Sequence, residues 1–509
     1  MHTHVVILLD GNSLTLDDLV AVAYSDVRVS LSDAARERVR AARVIVDEAA
    51  RHETPAYGIN TGFGNFADVR IPHDSLAELQ LNLLRSHAAG VGEPLPPPVV
   101  RATMALRANV LAKGFSGIRV ETLELLLALL NLGVHPVVPS RGSVGASGDL
   151  APLAHLGLVL VGEGEAWHGG ARETGAAALA RAGLTPASLG PKEGLALING
   201  TQPSTALLGL TLAGGERLAR AADIAAALSI DGLQGSTRPF DPRIHEARGL
   251  AGQRAAAENL RNLLAGSPIN AAHANCGRVQ DAYSMRCAAQ VHGTARDAFA
   301  FAHHVFDAEA NAATDNPMVF ADTGEIVSGG NFHGAPVSVA ADVLCLGLAQ
   351  LATISERRSD RLVNPSSSGL PAFLTRHGGL QSGLMMAQVT AAALTSELKT
   401  IAHPASVDTI PTSGNTEDHV SMSMAAALKA SRALDLARQI VAVEVLCACQ
   451  AIDLLAPLTS SAPLMRVHET IRAHVPTLER DRPPSRDIAQ ITAMIDAGDL
   501  ERACALKVK

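Results

Sequence analysis

The sequence predicts an all-α, mainly helical protein built on a long central helix bundle, and three observations predict it. Ala and Leu dominate residues 216–264 and 336–400, and both are strong helix formers. Near the carboxyl end Leu436, Ile440, Val443, Cys447 and Ala451 recur at i, i+4 and i+7 over several turns, the spacing of one helix face. Alternating β-branched runs, the mark of half-buried strands, are limited to short pieces such as residues 5–8.

Along the chain the punctuation is helical. Thr15 stands three residues before Asp18, and Ser75 three before Glu78, ahead of Leu79 and Leu83; both spacings fit a capping box. Leu125 to Leu130 is closed off by Glu124 and Asn131, and no run approaches the ~18 apolar residues of a membrane span. Residues 168–194, with several Gly and two Pro, read as an irregular connection. It sets an amino-terminal domain, 1–195, apart from the central bundle and carboxyl-terminal helices, 196–509. Small side chains in the bundle permit close helix approach. Glycine concentrates in loops at 57–64, 141–148, 199–202, 328–334 and 411–418. Residues 479–486, with two prolines and five charges, read as a surface loop.

Composition narrows the function. Of 509 residues 47% are hydrophobic and 18% charged, which excludes a mainly disordered chain. With 1 Trp, 3 Tyr and 10 Phe the core has to be aliphatic, and a tyrosine carrying chemistry has to be Tyr24, Tyr57 or Tyr283. A net charge of -8 without a long Lys/Arg run argues against nucleic acid as partner, and favours a small molecule. The first ten residues lack the basic and long apolar regions of a signal peptide, so no membrane partner and a cytoplasmic location are expected. The six cysteines (276, 287, 345, 447, 449, 504) form no CxxC pair and are expected as buried thiols, Cys447 and Cys449 in the core. No metal is expected: HExxH is absent, and His273 with Cys276 lacks two further ligands.

The densest chemical signal is Gly142-Ser143-Val144-Gly145-Ala146-Ser147-Gly148-Asp149-Leu150-Ala151-Pro152. It is not a nucleophile elbow, because glycine follows Ser147 directly and the G-x-S-x-G frame fails. Taken alone it reads as a glycine-rich turn before a helix that Pro152 helps to start. A tight bend at Ala146-Ser147-Gly148 also opens another chemistry. The Gly148 nitrogen can approach the Ala146 carbonyl carbon, since glycine tolerates the compressed conformation. Cyclisation with loss of water then makes Ser147 a methylidene carbon, an electrophile that no unmodified side chain provides.

These residues resemble the signature of the aromatic amino-acid ammonia-lyases and aminomutases, whose Ala-Ser-Gly becomes 4-methylidene-imidazol-5-one (MIO). The resemblance continues through Tyr57-Gly58-Ile59-Asn60-Thr61-Gly62-Phe63-Gly64, Ser86-His87-Ala88-Ala89-Gly90, residues 192–202 and 280–286, Asp315-Asn316-Pro317, residues 328–333, and Glu417-Asp418-His419-Val420-Ser421-Met422. Within the family the chain most resembles the histidine-specific branch, through Ser86-His87 and through Glu417 taken with Val407-Asp408 and His419. The resemblance implies elimination of ammonia from L-histidine to trans-urocanate; the alternatives are a tyrosine or phenylalanine lyase or a 2,3-aminomutase. It implies an MIO group formed from Ala146, Ser147 and Gly148, no external cofactor, and a homotetramer whose active sites are each assembled from three chains.

The resemblance also implies roles. The substrate amine adds to the carbon derived from Ser147, and a base removes the β-proton. Tyr57, on a loop able to cover the site, is the first choice for that base and Tyr283 the second; a phenol with a pKa near ~10 needs neighbouring positive charge to act as phenolate. Arg286 offers a planar fork for the substrate carboxylate; Gln280, Tyr283 and Arg286 fall at i, i+3 and i+6, along one side of a helix. Asn199 resembles the family asparagine that hydrogen-bonds the ring or the substrate, though an Asn-Gly pair is also a common turn. Phe332 would flank the ring, and His87 with Glu417 would handle the imidazole. Two positions depart from the pattern: Ala335, where histidine-specific members commonly have Glu, and Gly414, where Ala is more usual, a change read as minor.

Overall fold

A computed structural model of the chain describes residues 6–274, 277 and 279–509. Cys276 and the first five residues, on which parts of the sequence reading fall, lie outside them. Helix dominates from Leu16–Tyr24 to Asp499–Cys504, and strands are pieces of two to four residues, so the chain is all-α as the periodicity predicts. Two compact units form: one from Met1–Leu210, His303–Asp342 and Pro404–Leu428, the other from Thr211–Ala302, Val343–His403 and Lys429–Lys509.

In the first unit, the Thr15 capping box forms in both directions, Asp18 N–H to Thr15 Oγ1 and Thr15 N–H to Asp18 Oδ2, each at 3.1 Å. The box expected at Ser75 does not. A 3-10 turn, His73–Ser75, leads straight into the helix Leu76–His87, so Ser75 already has helical backbone (φ -102, ψ 0) and makes no side-chain cap. Capping needs an extended residue at that point. Residues 168–194 are also more regular than predicted. Glu165–His168 and Ala171–Thr174 pair as a hairpin, because Gly169 and Gly170 both take positive φ, as a tight two-residue turn requires. The helix Gly175–Arg181 follows.

Three helices of this unit pack on one another: Leu76–His87, Leu150–Leu160 and Glu193–Ile198. The first buries Leu76, Gln80, Leu83 and Leu84, a stripe at i, i+4, i+7 and i+8. Each fully buried leucine there contributes about 1.5–3 kcal/mol of burial. Gly157 lies opposite Leu84, where an added Cβ would sit 3.0 Å from Leu84 Cδ2, so the helix axes come close. This packing has a functional consequence. His87 ends one helix, Ser147 lies three residues before the second, and Asn199 caps the third.

The second unit holds long Ala-rich helices, including parts of Gln202–Gly232, Ala288–Ala310, Ala335–Val363 and Ser423–Leu454. Ala251–Leu264 and Ala288–Ala310 meet at Gly252 and Gly293, where a Cβ on either would come within 2.3 Å of the other helix's backbone; small residues permit close approach, as predicted. The stretches 216–264 and 336–400 are not continuous helix. Breaks follow Gly232, where Gln234 turns to positive φ, and Val363, where Pro365 comes two residues on and proline cannot continue a helical ladder. Cys447 and Cys449 are fully buried in Ser423–Leu454, as expected of core thiols. Ala335–Val363 is long and apolar enough to cross a membrane, which the count of consecutive apolar residues missed; 67% of its apolar window is buried inside the protein.

Candidate active site

A cavity of about 700 Å³ opens in the first unit, and Tyr57, His87, Ser147, Asn199 and Glu417 all line it. Five residues singled out from separate motifs are thus brought together. Phe63, Phe66, Val69, Ile71 and Leu83 supply apolar wall, which weakens competition from water and strengthens each polar contact inside.

The Ser147 loop is clamped from both sides. Ser143 Oγ donates to Asp149 Oδ1 (2.7 Å), and Asp149 Oδ2 accepts from the Ser204 N–H (2.9 Å). Val144 O accepts from Met422 N–H (2.9 Å), and Gly145 O from Ser421 Oγ (3.1 Å). Burial pushes the Asp149 carboxyl up, partly offset by its bonds from Ser204 and Ser143. Below the loop, Gly148 pairs with Gly200, and the Asp149 N–H donates to Gly200 O (2.8 Å). Gly148 has φ +73, and a Cβ there would lie 2.2 Å from Gly200 O. Only glycine fits, in conformation and in space.

Glu417 faces this loop: Ser147 Oγ donates to its Oε1 at 3.2 Å, and Thr412 Oγ1 to its Oε2 at 2.7 Å. The backbones of Thr412 and Glu417 form an isolated antiparallel bridge, so one short turn fixes the carboxylate. Thr416 Oγ1 also donates to Asn65 Oδ1, tying this turn to the Tyr57 loop.

Tyr57 is half-buried and meets Phe63 edge to face, ring centroids 6.3 Å apart. Asn60 braces its loop, accepting from Ala56 N–H (2.7 Å) and donating to Thr54 O (3.0 Å). Burial pushes the Tyr57 phenol up; a hydrogen bond from the Gly64 backbone works against this and the Glu417 charge adds to it. The positive neighbour that a phenolate needs is not in this cavity, since neither Lys nor Arg is among the described residues lining it.

His87 Nδ1 lies 2.9 Å from Leu83 O. A carbonyl only accepts, so Nδ1 carries the hydrogen and Nε2 keeps its lone pair. Burial lowers the ring's pKa, against smaller opposing effects of Leu83 and Glu417, so the ring is neutral at pH 7. Asn199 Oδ1 is buried without a hydrogen-bond partner among the described residues. An unpaired buried acceptor is costly, and its place on a cavity wall marks a seat for a donor.

Six predicted site residues do not line this cavity: Ala146 and Gly148, which flank Ser147 in its loop, and Gln280, Tyr283, Arg286 and Phe332. Gln280, Tyr283 and Arg286 belong to the second unit, and the expected helical stripe is shorter than its spacing suggested: the helix is only Tyr283–Arg286, with Gln280 outside it. Tyr283 is 70% exposed, with the Arg286 guanidinium carbon 4.6 Å from its ring centroid. Phe332 is half-buried and does not line the cavity. Conversely, sequence reasoning missed Gln80, whose fully buried amide donates to Gly58 O (3.4 Å) and accepts from Leu195 N–H (3.2 Å). It missed Thr412 and gave no role to Asp149, although Asp149 follows the tripeptide directly.

The family described as aromatic amino acid lyase matches residues 14–473. A histidine ammonia-lyase of Anaeromyxobacter sp. (strain K) is 57% identical over 504 residues, covering 97% of this chain and 99% of that one. One from Myxococcus xanthus (strain DK1622) is 54% identical, covering 97% of each. Among solved structures, histidine ammonia-lyase from Trypanosoma cruzi matches with a TM-score of 0.92 at 44% identity, over 98% of this chain and 95% of that one. Tyrosine aminomutase from Streptomyces globisporus matches with 0.94 at 36% identity, over 99% and 100%.

Proposed function

This chain belongs to the aromatic amino acid lyase family, and from that premise we propose that it is a carbon–nitrogen lyase that eliminates ammonia from L-histidine to give trans-urocanate. The observation that carries the reading is the single cavity joining Ser147 to Tyr57, His87, Asn199 and Glu417. The residues fit a ring formed from Ala146, Ser147 and Gly148: Gly148 is pressed onto the Gly200 peptide, and Asn199 offers an unpaired acceptor. Once formed, that group supplies an electrophilic carbon for the substrate amine.

The chain's own residues do the rest. His87 Nε2 and Glu417 Oε1 are two acceptors on one cavity, suited to the N–H of an imidazole and to the substrate amine. Glu417 Oε1 accepts a hydrogen bond from the Ser147 hydroxyl; loss of that hydroxyl as water leaves the oxygen free for substrate. Tyr57 is the base for the β-proton. Its phenol is held up by burial and Glu417, so it needs a cation from outside this cavity.

We place that cation, together with Gln280, Tyr283, Arg286 and Phe332, on neighbouring copies of the chain in a homotetramer, in the cytoplasm. Exposure of Tyr283 at 70% and Val279 at 95% supports a covered surface there. Arg286 would clamp the substrate carboxylate through its planar fork. The likeness to an aminomutase gives the second reading.

A panel of histidine, tyrosine and phenylalanine decides between them. Urocanate from histidine alone is expected, and none from Ser147→Ala. A β-amino acid or a cinnamate as the main product overturns the assignment.

A further inference from the structure

Arg107 is 0% exposed, at the centre of the helix Pro97–Ala112, whose residues are buried at thirteen positions. A buried guanidinium normally pairs with a carboxylate. This one does not: its hydrogen bonds go to Ala196 O (Nε, 3.1 Å; Nη2 also), Asn199 O (Nη1, 2.9 Å) and Gln202 Oε1 (Nη1, 2.7 Å). Burial lowers it to about 10 against the charge of Asp315, so it remains a cation at neutral pH. Asp315 itself is paired with Lys192 at 3.1 Å.

The carbonyls that Arg107 holds are those at the carboxyl end of Glu193–Ile198 and in the turn beyond it. Helix ends leave such carbonyls unpaired, and a cation there is favoured by their aligned dipoles. Here the cap falls on a turn with two duties. Asn199 lines the cavity, and Gly200 receives the Asp149 N–H and packs against Gly148. A Cβ on Gly200 would lie 2.5 Å from both Arg107 Nη1 and Gln202 Oε1. Arg107 therefore stands directly behind the peptide against which Gly148 is pressed. Gln202 is braced in turn, donating to Thr314 Oγ1 at 2.7 Å.

We infer that Arg107 is a positioning residue for formation of the prosthetic ring, acting through the Asn199-Gly200 turn on Gly148. The inference rests on the proposed function above. Ring closure joins the Gly148 nitrogen to the Ala146 carbonyl carbon; the carbonyl oxygen leaves as water with the hydrogens of the Gly148 and Ser147 nitrogens. A second water takes the Ser147 hydroxyl and its α-hydrogen, leaving two new double bonds. No oxidant is required. Closure needs the Gly148 nitrogen in contact with the carbonyl carbon two residues back, and misplacement by about 1 Å costs such a step roughly a hundredfold. Whatever fixes Gly200, against which Gly148 is pressed, thus bears on the rate.

The test follows the intact mass of the full chain during cell-free synthesis, scoring the fraction that has lost two waters. Arg107→Lys keeps the charge without the fork, and Arg107→Met removes both. At a temperature where thermal melts show each variant folded, Arg107→Lys is expected to lose water roughly tenfold more slowly than the unaltered chain, and Arg107→Met roughly a hundredfold more slowly. Equal rates in all three overturn the inference while leaving the proposed function standing. Should Arg107→Met fail to fold, Arg107→Lys alone decides on the same terms. An unaltered chain that never loses water defeats the functional reading itself, a different result from equal rates.

Discussion

The loops around Ser147 and the helices around Glu444 spend buried polar groups in opposite ways. Around Ser147 the backbone carries positive φ at Gly145 and Gly148, Asp149 is buried without a cation among its hydrogen-bond partners, and Asn199 Oδ1 has no partner among the described residues. Around Glu444 the carboxylates are paired with cations: Arg358 Nη2 meets Glu444 Oε2 at 2.9 Å, Ser229 Oγ donates to Glu444 Oε1 at 2.7 Å, and Asp223 joins His292 (2.6 Å) and Arg296 (2.5 Å). Unsatisfied groups and left-handed backbone cost stability and persist where geometry serves a reaction. The satisfied network holds helices in register. Mutations in the two regions should accordingly separate chemistry from stability.

The largest effects are expected on chemistry. Tyr57→Phe and Tyr283→Phe should each lower turnover by roughly 10²–10⁴-fold, the usual worth of a positioned acid or base, with melting unchanged. Mixed, unfolded and refolded together, the two inactive variants should regain up to about a quarter of the parent activity if each site draws the two tyrosines from different chains. No recovery means both tyrosines come from one chain and sinks the shared-site proposal. Arg358→Met reverses the pattern. It leaves Glu444 buried without its guanidinium and should cost about 3–5 kcal/mol in denaturant unfolding, with turnover per folded molecule intact. A loss of turnover in folded protein would erase the contrast between the regions.

Asp231 is a carboxylate in this second unit whose hydrogen-bond donors are serines and not cations, and it sharpens the comparison. Ser460 and Ser267 both donate to its Oδ2, at 2.5 and 2.7 Å, while Oδ1 has no hydrogen-bond partner among the described residues. Burial raises it from 3.8 to about 6, partly offset by those two serines. A carboxyl raised in the folded state binds its proton more tightly there, so its contribution to stability is full below about pH 4 and is lost as pH rises to about 6. Asp231→Asn should remove that loss and leave the protein about 1–2 kcal/mol more stable than the parent at pH 7, with little difference at pH 4. An Asn variant less stable at pH 7 would show that the charge is being used.

What the sequence made legible follows the range of the interactions. The bundle was readable because burial repeats along a helix, as at Leu436, Ile440 and Val443. Five residues of the cavity were readable because they sit in short motifs. The Ser75 cap was misjudged because a preceding 3-10 turn decides the backbone, and spacing does not show that turn. Arg107 and Gln80 were invisible for a different reason. Arg107 reaches Asn199 across 92 positions and Gln80 reaches Leu195 across 115, and no local pattern marks such partners.

Gly414 shows the same limit at a single position and gives the smallest predicted effect. From sequence, glycine in place of the more usual alanine looked minor. In the structure Gly414 has φ +62, and a Cβ there would fall 2.2 Å from Asn65 Nδ2. Asn65 Oδ1 is the acceptor for Thr416 Oγ1, next to Glu417. Alanine would both strain the backbone and displace the amide that ties the two cavity loops together. Gly414→Ala should therefore cost about 1 kcal/mol and raise KM several-fold while kcat changes less, because it loosens Glu417 without touching Ser147 or Tyr57. If Asn65 swings aside freely, KM stays put and the loop tie carries no weight in placing the carboxylate; a second change, Asn65→Ala, then restores nothing. If the clash is what matters, Asn65→Ala in the Gly414→Ala background should recover the part of the stability lost to it, leaving the strain at φ +62 and the raised KM, since the space is freed while the bond to Thr416 stays lost.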